Sequence, residues 1–313
     1  MGLSYSNVEV NNSVGFNFRR GESCTAPVGP SSRDGKSYEY ITLTEECEKQ
    51  QGTIQQLTAK MLGMINTNNR PDRDTFIQVK RNNIKKGMEE LFKKYDWKQV
   101  RLYKNISYDY GSALHYSGSY MGKKSSIVLK PKLSKYYSNM LGQYYELSFN
   151  DLKIINQLYS NRFWGHIGDC QNGGYVRPFF RRECLCPNGF VGRYCNETEP
   201  NTGGCKESEL KATKKEQRFI INGAKNCTHL IKSAPGTKIQ IVMKRIKTQK
   251  KSPCYQKMGL EVKYVKDKGA TGLCLCGKYN YIKLKSQDNK VLIQYTGKEK
   301  SSSATVYYKA ISK

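Results

Sequence analysis

The chain has 313 residues, 53 Lys/Arg against 26 Asp/Glu for a net charge of +27, and 11 cysteines. That length allows two or three domains with cores of ordinary size. At 37% hydrophobic residues and with no apolar run near the ~18 residues that span a bilayer, the sequence predicts a soluble chain with no membrane span.

Met1 is followed by GLSYSNVEV, which has no basic start and no apolar core, so no signal peptide is read in this chain. Residues 15–50 predict short strands and loops. Phe16–Phe18 alternates with polar neighbours, 29–35 is a loop, and Tyr40–Leu43 is a strand of β-branched and aromatic residues. Cys24 and Cys47 flank this unit and can staple it. Residues 52–65 predict a helix, because Ile54, Leu57, Met61, Leu62 and Ile65 recur at helical spacing; Gly63 lies near its end. Residues 75–96 predict a strand and then a charged helix. Residues 99–137, including YDYGSALHYSG, predict loops and short strands. Residues 147–160 predict a second helix with Ser148 as N-cap and Asp151 at the third helical position.

A boundary follows near Phe163. Residues 170–195 are too short and too rich in Gly and Cys for an apolar core, so they must rely on disulfides. ETEPNTGG (197–204) reads as a linker. From Cys205 onward, short apolar runs such as RFIING, KIQIVMKRI, YNYIKL and KVLIQYTG alternate with turn signals, the pattern of an antiparallel β-sandwich.

The cysteine usage and the N-x-S/T sequons at Asn11, Asn105, Asn196 and Asn226 predict a secreted, extracellular chain. Together with the missing signal, they predict that Met1 is not the true start. Positive charge concentrates at the end: residues 205–313 hold 25 Lys/Arg against 7 Asp/Glu, a balance of +18. Such a surface suits sulfated glycans or anionic lipid, and the extracellular reading argues against nucleic acid. The plainer reading is a solvated lysine-rich face.

The runs GTIQ…LG…RPDRD, YDYGSALHYSGSY and LSFNDLKIINQLY together resemble the catalytic domain of the astacin family. CQNGGY…CLCPNGFVGRYC resembles an EGF-like module, and the last part resembles a CUB domain. The resemblance covers nearly the whole chain in order. It implies a metzincin-like α+β peptidase domain over 1–163, an EGF-like β module over 164–199 and a CUB-like β-sandwich over 200–313. It also implies a zinc helix reading H-E-x-x-H-x-x-G-x-x-H, in which three His hold zinc and Glu polarises a zinc-bound water. On this chain the metal positions fall on Gln56, Lys60 and Asn66, and the base position falls on Leu57. Gly63 is retained. The turn that normally reads S-x-M-H-Y runs from Ser112 to Tyr116, with Leu114 for Met and Tyr116 kept. Thr67 replaces the Glu that anchors the processed N-terminus in the family.

Amide oxygens are poor zinc ligands, and a protonated lysine repels the ion. Deprotonating Lys60 at neutral pH from the reference value costs about 4.6 kcal/mol. The other His residues, His115, His166 and His229, do not restore the set. No metal cofactor is therefore expected, although active relatives use zinc. Lys60 is read as a solvated side chain in a dead cleft, with a carbonyl-holding role as the alternative. Tyr116 and His115 are read as packed structural residues, Leu57 as part of the apolar helix face, and the RPDRD charges as ion pairs at the surface.

The resemblance implies the disulfides Cys170–Cys184, Cys186–Cys195, Cys205–Cys227 and Cys254–Cys276 beside Cys24–Cys47. Cys274 is then the odd thiol, or it exchanges with Cys276. A third EGF-like disulfide is lost, with Arg181 at one of its positions, and Phe163 stands at a lost peptidase-domain cysteine. Of the acidic Asp-Tyr-Leu-Glu segment that holds calcium in some CUB domains only Glu261 remains, so calcium is not expected there. These readings predict a secreted pseudoprotease that binds extracellular proteins, peptides or matrix. The alternatives are a working zinc metalloendopeptidase by descent and a non-functional fragment. Residues 1–165 alone are expected to be poorly stable.

Overall fold

The computed structural model describes residues 15–29, 38–160, 170–177, 183–201, 203–205 and 207–312. Asn11, Phe163, His166, Arg181 and most of the predicted 29–35 loop lie outside them. The chain divides into two compact units, one of residues 1–133 and 141–164, the other of 134–140 and 165–313.

In the first unit, β1 (Gly15–Arg20) pairs in parallel with β2 (Tyr38–Leu43). The Cys24–Cys47 disulfide joins the strand region to the one-turn helix α1 (Glu45–Glu48), whose N-terminus is capped by the Thr44 hydroxyl. Helix α2 (Gln51–Met61) lies between two apolar clusters. Leu57 and Met61 pack with Ile41 and Leu43 of β2 on one side. Ala59 packs with Met64, Ile65, Tyr103, Ile106 and Leu114 on the other. The first turn of α2 runs so close to a neighbouring segment that a Cβ at Gly52 would sit 1.7 Å from the Tyr144 carbonyl oxygen.

The helix is shorter than the 52–65 stretch its spacing predicts. Leu62 closes it, and Gly63 reverses the chain at a φ of +92°. Met64 and Ile65 continue the apolar spacing because they reach the second cluster from a turn. The charged helix expected within 75–96 is absent. A single turn α3 (Arg73–Phe76) leads into β3 (Ile77–Val79), which pairs antiparallel with β4 (Leu129–Pro131). The chain then makes 3-10 turns at Arg81–Asn83 and Glu89–Phe92. Ile84, Met88, Leu91 and Phe92 recur at helical spacing, but Gly87 turns the chain at a φ of +84° and Ile84 bridges Gly122, so no longer helix forms. Helix α4 (Phe149–Ser160) forms as expected: Asp151 N–H donates to Ser148 Oγ, and Ser148 N–H donates back to Asp151 Oδ2.

The second unit begins with a small two-disulfide module. Its hairpins are β5 (Tyr175–Val176) with β6 (Cys184–Leu185), and β7 (Phe190–Val191) with β8 (Glu197–Thr198). Cys184, Phe190 and Cys195 pack on Leu230 and Leu292 of the following domain, which gives the module the apolar support it lacks alone. The predicted linker is therefore not free. Glu197 and Thr198 form a strand, and Asn201 Oδ1 accepts from Thr228 N–H at 2.6 Å.

Nine strands follow: β9 (Glu209–Lys211), β10 (Gln217–Asn222), β11 (Asn226–Lys232), β12 (Lys238–Lys247), β13 (Gly259–Lys263), β14 (Leu273–Leu275), β15 (Lys278–Lys285), β16 (Lys290–Thr296) and β17 (Ser303–Ile311). They build a sandwich of a four-stranded sheet, β10-β17-β12-β15, and a five-stranded sheet, β14-β13-β16-β11-β9. All pairings are antiparallel except β9 with β11. Strict alternation sends Phe219, Ile221, Ile239, Ile241, Met243 and Val306 inward. Residues 134–140 join this unit: Cys254 N–H donates to Asn139 O at 2.8 Å, and the Tyr137 and Tyr264 rings stack.

The disulfides are Cys24–Cys47, Cys170–Cys184, Cys186–Cys195, Cys205–Cys227 and Cys254–Cys276. Cys274 is a buried thiol whose Sγ donates to Gly272 O. Glu261 is buried in an ion pair with Lys263 at 3.2 Å and also accepts from Gly272 N–H and the Asn188 amide. Both carboxylate oxygens are thus engaged by protein donors. Among the described residues, no helix is long and apolar enough to cross a membrane.

Candidate functional site

Gln56 and Lys60 are four residues apart on α2 and share a helix face. The Gln56 amide donates to Ala113 O at 2.6 Å, tying the helix to the 112–116 turn. The Lys60 side chain is partly buried, and its ammonium has no hydrogen bond or ion pair to any described residue. Burial pulls that ammonium below the usual lysine value. This lessens the cost of deprotonation but supplies no further ligand. Leu57 points elsewhere, 3% exposed, into the cluster with Ile41, Leu43 and Met61.

The reversal at Gly63 carries Asn66 to Tyr116. The Asn66 amide nitrogen donates to the Tyr116 hydroxyl at 2.8 Å. Asn66 Oδ1 is buried with no partner among the described residues. The Tyr116 ring stacks on Tyr120, with centroids 4.1 Å apart, and meets Phe92 edge-on. Its hydroxyl is pushed up to about 12, first by burial and then by the neighbouring tyrosines. Tyr116 is therefore a packed, hydrogen-bonded phenol.

The turn opposite α2 is held at several points. Thr67 N–H donates to Leu114 O, and the Thr67 hydroxyl donates to Ser112 Oγ at 2.8 Å. Ser112 in turn donates to Asp151 Oδ1 at 2.7 Å, and Ala113 N–H donates to Asp151 Oδ2 at 2.9 Å. Sequence reasoning identifies Asp151 only as a helix cap; its clamp on the turn depends on a contact 38 residues away. The Asp151 carboxyl is pushed up to about 6, by burial first and then by the charge of Asp109. His115 Nδ1 lies 2.8 Å from Tyr116 O, which can only accept, so Nδ1 carries the proton. Nε2 then accepts from the Tyr108 hydroxyl at 2.7 Å. Burial lowers His115 to about 4, so the imidazole is neutral and both its nitrogens are engaged.

The RPDRD charges form the expected local ion pairs, Arg70 with Asp72 and Arg73 with Asp74, but the two arginines are buried and not at the surface. Arg70 is 2% exposed and Arg73 is 1% exposed. Arg70 donates to Tyr103 O and Ile106 O and grips Asp72 through two bonds. Arg73 donates to Asn68 O and Phe92 O. These guanidiniums serve backbone carbonyls, of which Tyr103 O also accepts from Ile106 N–H. The usual exposure of arginine hides such a role in a sequence.

Zinc is the metal the resemblance implies, and the donors present do not fit it. Two of the three side chains are neutral amides whose nitrogens already bond Ala113 and Tyr116, and the third is a cationic amine. No group of three His, Cys, Asp or Glu comes together among the described residues. The sequon residues Asn105, Asn196 and Asn226 are exposed; Asn11 lies outside the described residues.

The sequence matches the family model described as Astacin, a peptidase family, over residues 4–160 and the CUB domain model over 206–308. It is 29% identical to zinc metalloproteinase nas-34 of Caenorhabditis elegans, over 94% of this chain and 47% of that protein. It is 31% identical to zinc metalloproteinase nas-30 of the same organism, over 83% of this chain and 34% of that protein. The chain thus spans less than half the length of these curated relatives. Among solved structures, high choriolytic enzyme 1, a hatching enzyme zinc-protease from the medaka Oryzias latipes, aligns at 22% identity and a TM-score of 0.43, over 50% of this chain and 72% of that one. With a family model matched over half its length, and with the helix, the 112–116 turn and the RPDRD loop assembled around one another, the chain belongs to the astacin family and carries a CUB domain after the astacin domain.

Proposed function

We propose that this protein is a secreted astacin-family pseudoprotease that binds extracellular proteins or peptides without cleaving them. One arrangement carries the reading. At the positions where active relatives hold zinc, Gln56 and Asn66 bond directly to Ala113 and Tyr116. In an active site the metal would join the helix, the loop after Gly63 and the ligands around it. Here protein hydrogen bonds join the helix and the loop to the turn. Leu57, at the base position, has become core and cannot take a proton from water. Lys60, one turn from Gln56 on the same helix face, carries an ammonium suited to holding a carbonyl or carboxylate of a bound peptide. The five disulfides support an extracellular compartment, and the two-disulfide module at 170–195 is read as a reduced EGF-like module. The exposed sequons at Asn105, Asn196 and Asn226 are proposed glycosylation sites.

The test is the metal content of the refolded full chain by elemental analysis, paired with casein and gelatin cleavage. Substoichiometric zinc with no chelator-sensitive cleavage is expected. One zinc per chain together with cleavage abolished by a chelator would instead establish a working metalloendopeptidase with an unusual ligand set.

A further inference from the structure

The four-stranded sheet of the CUB domain has an outer face with an uneven distribution of charge. None of its strands, β10, β12, β15 and β17, contains Asp or Glu. The pairing register lays the outward residues in lanes across the sheet. Lys309, Gln240 and Lys285 form one lane. Arg218, Tyr307, Val242 and Lys283 form the next, and Ile220, Thr305, Lys244 and Tyr281 the third. Lys244, Lys283, Lys285 and Arg218 are exposed, and Tyr281 is 54% exposed.

Three lysines elsewhere in the same unit pair with carboxylates. Lys232 pairs with Glu209, Lys263 with Glu261 and Lys268 with Asp288, all on the five-stranded sheet or its loops. On the outer face of the four-stranded sheet, Arg218, Lys244, Lys283, Lys285 and Lys309 pair with no described carboxylate. Like charges a strand or two apart repel one another, and a bound polyanion relieves that repulsion. We propose that this face binds a linear sulfated polysaccharide.

The chemistry favours that occupant. Strands ~4.8 Å apart and outward residues ~6.7 Å apart along a strand repeat the charge on a flat lattice, suited to an extended chain rather than to one head group in a pocket. The cations are mostly lysine ammoniums, which meet sulfates as point charges and do not need the bidentate fork that base recognition favours. Tyr307 and Tyr281 offer ring faces between the charges, and Lys244 already lies 4.8 Å over the Tyr307 ring. Ile220 and Val242 are too small and too separated to anchor the face in a bilayer. The inference is independent of whether the astacin unit binds zinc.

The test compares heparin binding by the full chain with that of two equally charged variants. One is Lys244→Ser/Lys283→Ser/Lys285→Ser. The other, Lys211→Ser/Lys266→Ser/Lys298→Ser, changes exposed lysines outside the four strands. The face variant is expected to lose heparin affinity on the order of tenfold to a hundredfold and to elute at lower salt, with little change in the control. Equal losses in both would overturn the proposal, as would heparin binding no tighter than binding to unsulfated hyaluronan, or binding to phosphatidylserine vesicles or DNA in preference to heparin. A variant-free readout is acylation of the wild-type chain by an amine-reactive reagent. Heparin should protect Lys244, Lys283 and Lys285 but not Lys211 or Lys298, and uniform protection would also overturn the proposal.

Discussion

A carboxylate at position 57 would have to lie among Ile41, Leu43 and Met61, and the residue actually there is one of that cluster's members. Leu57→Ala is expected to cost about 2–5 kcal/mol of stability, as for other buried leucines. A residue in an open, disused cleft would change stability by less than about 0.5 kcal/mol. Urea unfolding at neutral pH separates the two. Tyr116 makes a second test at this scale. A tyrosine retained only for catalysis would tolerate loss of its hydroxyl. Here Tyr116→Phe leaves the Asn66 amide nitrogen without its acceptor, beside an Oδ1 already unpartnered among the described residues, and should cost about 1–3 kcal/mol in the same measurement.

The 112–116 turn is a junction of elements, and its two buried titratable groups pull stability in opposite directions with pH. Asp151 has its carboxyl raised from 3.8 to about 6. Its contribution favours the fold below the unfolded value and is lost as pH rises through about 6, on the order of 3 kcal/mol in all. His115 is lowered from 6.5 to about 4. Its contribution is present above the unfolded value and is lost as pH falls through about 4. Between pH 4 and 6.5 the two slopes offset each other. Relative to wild type, Asp151→Asn should therefore gain stability as pH rises across this window, and a His115→Phe variant should lose it. Parallel profiles for all three would show that neither group titrates as its burial requires. In the RPDRD loop, Arg73→Met keeps much of the side-chain volume but strips donors from Asn68 O and Phe92 O. It should cost about 1–3 kcal/mol for each carbonyl left buried and unpaired, read from thermal or urea unfolding.

Across the whole chain, the sequence carries those features that follow from periodicity and capping. Helix α4 with its Ser148–Asp151 box and the alternating strands of the sandwich are legible because each depends on short-range pattern, whereas the disulfide pairings after residue 170 are legible only through the family resemblance. The helix expected within 75–96 is absent although Ile84, Met88, Leu91 and Phe92 recur at helical spacing, because Gly87 turns the chain at a φ of +84°. The buried arginines are misread because their partners are backbone carbonyls, which no side-chain pattern announces. Replacement at Gln56, Leu57, Lys60 and Asn66 can be read only through the family resemblance, and the bonds Gln56 and Asn66 make to the 112–116 turn cannot be read at all, since each spans 50 or more residues. In the proposed pseudoprotease these bonds take over the joining role of a metal. Elemental analysis of the purified full chain after dialysis against micromolar zinc tests that substitution most directly. Well under one zinc per chain is predicted, with an unfolding midpoint unchanged by a chelator. Stoichiometric zinc that is removed by a chelator with a drop in that midpoint would contradict it.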